Sequence, residues 1–117
     1  MRCLWLLCNL MLQHWYTQDN QTWFDGRLPT ASLYWYHTEG EALAYTYRYK
    51  GKYIIVFDKK YFRAHGDELR GALHHEECHL LARDFEVFHD QVWRECATTM
   101  QGKGAEFLYT ARHRKGE

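Results

Sequence analysis

The sequence predicts an α+β fold, because its hydrophobic period switches twice along the chain. Residues 2 to about 17 repeat apolar side chains at helical spacing, residues 32 to 57 alternate with a period of two, and residues from about 69 to 101 return to helical spacing. At 117 residues, 46% hydrophobic and 17% aromatic with a single proline, the chain has the composition of one globular domain with a modest core. Lysine plus arginine balance aspartate plus glutamate at 15 each, so no global field draws the protein onto nucleic acid or an anionic membrane.

The first helix carries Leu4, Leu7, Cys8, Met11 and Trp15 on one face, widened by Leu6, Leu10 and Leu12. The opening MRCLWLLCNLML is too short to span a bilayer and is followed by no small-residue cleavage site, so a buried first helix is expected and no membrane partner. The four cysteines, Cys3, Cys8, Cys78 and Cys96, lack C-x-x-C spacing and are too sparse for a disulfide framework. A reduced, intracellular chain is the expectation, with Cys78 a small buried or half-buried thiol.

The stretch TQDNQTWFDGRLPT is expected to break the helix through Asp19-Asn20, Asp25-Gly26 and Pro29. Leu33, Trp35 and His37 then alternate with Tyr34 and Tyr36, and Leu43, Tyr45, Tyr47 and Tyr49 alternate with Ala44, Thr46, Arg48 and Lys50. YKGK marks a hairpin turn, and the β-branched YIIVF suits a strand buried on both faces, giving a small three-stranded sheet. A half-buried sheet face accounts for the tyrosine stripe, and a stacking platform for single-stranded nucleic acid is the alternative. DKKYFRAHGDEL leads into the next helix, with Asp67 as its cap. A last helix is expected from after Asp84 to about Gln101, ended by Gly102 and Gly104 and followed by a frayed basic end.

His75-Glu76-Glu77-Cys78-His79 matches H-E-x-x-H. On a helix the imidazoles at i and i+4 stack on one face and reach one metal ion, and the adjacent Glu76 can act as general base. On a wheel of about 100° per residue, Glu76 falls with Leu69, Leu73 and Leu80, and His75 and His79 flank them. Arg70, His74 and Glu77 fall on the opposite arc, expected to face water. A catalytic zinc takes three protein ligands and keeps a fourth position open. His89, placed on the last helix's apolar face with Phe85, Phe88, Val92 and Cys96, is the candidate third ligand, and Glu95 is the alternative. The longer H-E-x-x-H-x-x-G-x-x-H pattern fails at Ala82 and Phe85.

These residues resemble the SprT-like, or Spartan-type, metallopeptidase domain. WFDGRLPTASLYW is similar to the family's stretch after its first helix, LRGALHHEECHLL to its active-site helix, and FHDQVWRECATTM to the segment supplying its third histidine with an aromatic four positions on. The resemblance covers nearly the whole chain. It implies a zincin-like minimal domain over residues 1–117, with an N-terminal helix, a three-stranded sheet, the motif helix, and a following helix carrying the third ligand. It implies Zn2+ on His75, His79 and His89 and catalysis by Glu76 on protein or peptide substrates, including DNA-crosslinked proteins. The chain departs from the family pattern at Asp90, where glycine is frequent, and it has no downstream zinc ribbon.

The expected function is therefore a monomeric zinc endopeptidase with at most weak nucleic-acid binding, through Lys59, Lys60 and Arg63 and through Arg112, Arg114 and Lys115. The alternatives are a non-catalytic zinc-binding interaction module and a nucleic-acid-binding domain without protease activity.

Overall fold

A computed structural model describes residues 5–37, 42–83 and 89–109, with side chains described from Leu10 onward. Its elements are α1 (Trp5–Phe24), β1 (Ala31–Tyr36), β2 (Ala44–Tyr49), β3 (Lys52–Asp58), α2 (Lys59–Ala64), α3 (Leu69–Ala82) and α4 (Gln91–Gly102). The α+β architecture and the three-stranded sheet agree with the sequence. The face expected from Leu4, Leu6, Leu7 and Cys8 lies outside the described side chains. No helix among the described residues is long and apolar enough to cross a membrane.

Helix α1 runs seven residues past the expected break near Thr17. Asp19 and Asn20 are turn formers locally, but here tertiary partners hold them in the helix. Asp19 is buried against Arg70, and the Asn20 carboxamide accepts the Leu28 N–H at 2.9 Å. Gln13 donates to the Ala31 carbonyl at 3.0 Å, and the Tyr16 hydroxyl donates to the Pro29 carbonyl, so one face of α1 fastens the returning loop. The helix stops where Asp25 and Gly26 adopt positive φ of 52° and 75°, the left-handed conformation that glycine takes without strain.

The strand order is β1-β3-β2, with β1 parallel and β2 antiparallel to β3. Lys50 and Gly51, both at positive φ, form the two-residue hairpin turn that YKGK predicts. Register places Leu33, Ile55 and Thr46 side by side on the inner face, with Trp35, Phe57 and Ala44 next along. The tyrosines take the other phase. Tyr34, Tyr36, Tyr45 and Tyr49 are exposed on the outer face, so small Ala44 and Thr46, not the tyrosine stripe, are what β2 buries.

Asp58 ends β3 and caps α2, its carboxylate accepting the N–H groups of Lys60 and Tyr61. A single 3-10 turn over Gly66–Glu68 then leads into α3, and Asp67 is not its cap. Helix α4 starts later than expected, at Gln91, capped by Asp90 through the Trp93 N–H at 2.9 Å. His89 therefore precedes the helix instead of riding on it. Phe85 and Phe88 lie outside the described residues, and Val92 is exposed. The buried face of α4 is Trp93, Cys96, Ala97 and Met100.

Beyond α4 the described residues do not fray. Residues 105–109 return as an irregular strap over α3, where the Leu108 N–H donates to the Gly71 carbonyl at 3.1 Å. A Cβ on Gly71 would stand 2.9 Å from the Leu108 nitrogen and 3.1 Å from the Phe107 carbonyl carbon. Glycine within a helix costs up to about 0.5–1 kcal/mol against alanine, and the close approach of two backbones accounts for its presence here in the first turn of α3.

Gly71→Ala should therefore destabilise the protein by on the order of 1–2 kcal/mol despite its higher helix propensity, because backbone must move. Gly102→Ala, with open space around its Cβ, is the control and should be neutral or slightly stabilising. Chemical denaturation of the two variants checks this, and a stabilised Gly71→Ala would show that the strap is not held against α3.

Candidate metal centre

Helix α3 is buried almost all round. From Gly71 to Leu80 every residue is buried, including His74, His75, Glu76, Glu77 and His79. The expectation that His74 and Glu77 face water is thus wrong. The reason is coverage: the β2 side packs against Glu76, while α1, α4 and the strap cover the remaining faces.

His75, His79 and His89 each bring a ring nitrogen to within 4.8 Å of the others. The first two approach closest, with Nε2 atoms 3.2 Å apart. Around a tetrahedral ion with bonds of about 2.0–2.1 Å, neighbouring ligand atoms are separated by about 3.3 Å, so this spacing suits one shared ion. The strap sets the tautomer of His75. Its Nδ1 lies 2.8 Å from the Leu108 carbonyl, which only accepts, so Nδ1 carries the proton and Nε2 is left as a lone pair. Burial, reinforced by His79, holds the His75 imidazole down at a pKa of about 3, so its ring is neutral over the ordinary range.

His89 is positioned by Trp93. The two rings stack at a centroid distance of 3.6 Å and 8° between planes, and the indole N–H donates to the His75 carbonyl at 3.1 Å. One buried tryptophan therefore touches both the motif helix and the separate histidine. His89 is only half-buried, unlike His75 and His79. Glu95, the alternative ligand, is exposed and accepts from Gln91 at 2.8 Å on the solvent side of α4.

Glu76 stands beside the cluster, its Oε2 3.8 Å from His75 Nε2. Its other oxygen accepts the Thr46 hydroxyl at 2.8 Å. Burial pushes its pKa up to about 7, opposed by the Thr46 hydrogen bond. Thr46 and the strap carbonyl escaped the sequence reading because each arrives from a different element, whereas Trp93 stood out there as the aromatic four positions after His89. A glycine inside the motif helix was the one advance signal for the strap.

Cys78 is no free thiol. It is bonded to Cys96, joining α3 to α4 across 18 residues of sequence, against the expectation of reduced cysteines. Their spacing gives no hint of this, since the pairing follows from the packing of two helices. Cys3 lies outside the described residues.

An α+β chain whose central buried helix offers two imidazoles at i and i+4, with a third brought from outside it, belongs to the class with a helix-borne candidate metal centre. The family is more definite: the SprT-like family model matches residues 12–113, and the chain belongs to that family. No curated protein and no solved structure matches it.

Thr46→Val keeps the side chain's shape and leaves a buried Glu76 oxygen without a donor. It should cost about 1–3 kcal/mol in the metal-free protein, with Thr46→Ser close to wild type, as measured by thermal or chemical denaturation.

Proposed function

We propose that this chain is a zinc-dependent endopeptidase acting on protein substrates. The observation that carries the reading is the convergence of His75, His79 and His89 beside a buried, singly anchored Glu76. Bound zinc would supply Lewis acidity toward water and the scissile carbonyl. The protein's own part is to present neutral imidazoles with their lone pairs forward, and the Leu108 carbonyl arranges this at His75. Glu76 takes a proton from the attacking water and returns one to the leaving amine, and its raised pKa suits a group that must do both. Thr46 holds one carboxylate oxygen and leaves the other for this exchange. Strand β2, an edge of the sheet that packs against α3, can bind an extended substrate by main-chain hydrogen bonds.

The family relationship favours this reading over a non-catalytic zinc module, since a purely structural site has no use for a base at position 76. DNA-associated or DNA-crosslinked proteins are the proposed substrate class, and an intracellular setting belongs to the same reading. There the buried Cys78–Cys96 bond is shielded from soluble thiols.

Purified protein should hold zinc that His89→Ala weakens sharply and Glu95→Ala does not. Glu76→Gln should fold, retain zinc and lose cleavage of an unfolded substrate such as casein by about a hundredfold or more, the scale of losing a positioned acid–base group. Retained cleavage in Glu76→Gln would sink the assignment of the base, and unchanged zinc in His89→Ala would remove the third ligand.

For DNA, charge balance argues for weak, sequence-independent association through basic residues such as Lys60 and Arg63, strengthened at low salt. Anisotropy titrations of single- and double-stranded oligonucleotides should show affinity falling steeply as salt rises. Binding that survives high salt and disappears in Tyr45→Ala would instead assign DNA to the exposed tyrosine face.

A further inference from the structure

A second group of ligand atoms lies on α3, distinct from the three histidines. Asp19 from α1 and His74 and Glu77 from α3 each offer one ligand atom, all within 4.8 Å of one another, and all three residues are buried. His74 Nδ1 lies 2.6 Å from the Glu106 carbonyl of the strap. A carbonyl only accepts, so Nδ1 carries a proton and Nε2 is the ring nitrogen left to meet a ligand. Nε2 stands 3.2 Å from Asp19 Oδ2. The other Asp19 oxygen is already held by Arg70 at 2.9 Å.

Glu77 is 0% exposed, and although the Asp19 carboxyl stands close enough to share a proton with it, no N–H or O–H donor reaches either of its oxygens. With Asp19 Oδ2 and His74 Nε2 they make four of the five buried side-chain polar atoms without a partner among the described residues. Buried polar atoms are nearly always satisfied, and a buried carboxylate without a counter-charge is among the least stable arrangements a core can contain. A proton shared between Glu77 and Asp19 would answer one pair and leave the others. One cation would take an atom from each of the three residues.

We propose that Asp19, His74 and Glu77 form a second, structural metal site that takes a zinc-type divalent ion. The 3.2 Å between His74 Nε2 and Asp19 Oδ2 is close to the edge of about 3.3 Å expected around a tetrahedral ion with bonds of about 2.0–2.1 Å. An imidazole nitrogen in the donor set suits zinc and its neighbours better than calcium or magnesium, which favour all-oxygen shells. All three residues are buried, so the fold itself would close the ion off from substrate. Its role is to tie α1 to α3, while the Glu106 carbonyl orients His74 from behind as the Leu108 carbonyl orients His75. The ion would brace the helix that carries the candidate centre without entering its chemistry.

The test is zinc stoichiometry by elemental analysis after equilibration with excess zinc and removal of the unbound metal. The wild-type chain should hold two equivalents. Glu77→Gln should hold one, and so should His79→Ala/His89→Ala, which disables the other cluster. Because Glu77→Gln can fail to fold, the double variant carries a second readout. Added zinc should raise its melting temperature, and that rise should vanish when Asp19→Asn is added. Two equivalents in the wild type and a zinc-dependent shift in the double variant support the site, whatever peptidase activity is found. One equivalent or fewer in the wild type, with no zinc-dependent shift in the double variant, would overturn it and leave the cluster as a proton-sharing polar core.

Discussion

Five ionisable side chains, His74, His75, Glu76, Glu77 and His79, are buried on one fourteen-residue helix, and the arrangement of the rest of the chain follows from providing for them. Burial of such groups is tolerated only with hydrogen-bond partners, counter-charges or metal. β2 sends Thr46 to Glu76, α1 sends Asp19 toward His74 and Glu77, and α4 sends Trp93 to the His75 carbonyl. The strap contributes two carbonyls in alternate register, Glu106 to His74 and Leu108 to His75. Two carbonyls two residues apart on one short segment thus orient two neighbouring histidines.

The strap's intervening side chains use the opposite phase. Phe107 and Tyr109 pack on Trp93 at centroid distances of 5.6 and 6.0 Å, and Trp93 in turn lies flat on His89. The position of His89 thus depends on a stack that begins at the strap, crosses α4 and ends at a residue outside any helix. The Cys78–Cys96 bond adds a covalent tie between α3 and α4, one residue before His79 and three after Trp93. Rigidity at this junction has a chemical use, because three ligand atoms from two segments converge only if the segments keep their spacing.

Legibility differed by element. The period changes placed the helices and strands, and Lys50-Gly51 and Asp25-Gly26 marked their turns correctly, because backbone preferences at such positions are local. Helix α1 was read too short, because Asp19 and Asn20 are judged by local propensity until their partners at Arg70 and Leu28 are known. The wheel of α3 placed His75, Glu76 and His79 toward the interior but sent His74 and Glu77 to solvent. A wheel assumes one wet face, and α3 has none.

The sequence by itself determined the α+β class and the i, i+4 pair with its adjacent glutamate, since these rest on spacing along one chain, and it put His89 forward as the third ligand with Glu95 as the alternative, beside a family resemblance that the family match bears out. Tertiary structure alone decided which nitrogen of His75 carries the proton, that Thr46 anchors Glu76, that Cys78 meets Cys96, and that Asp19, His74 and Glu77 share a buried cluster. Each of these is a contact between residues at least 18 apart in the chain, Glu77's partnership with His74 excepted. No local propensity encodes such a pairing, because it forms only when separate elements close around α3 and exclude the water that would otherwise have satisfied every one of those groups.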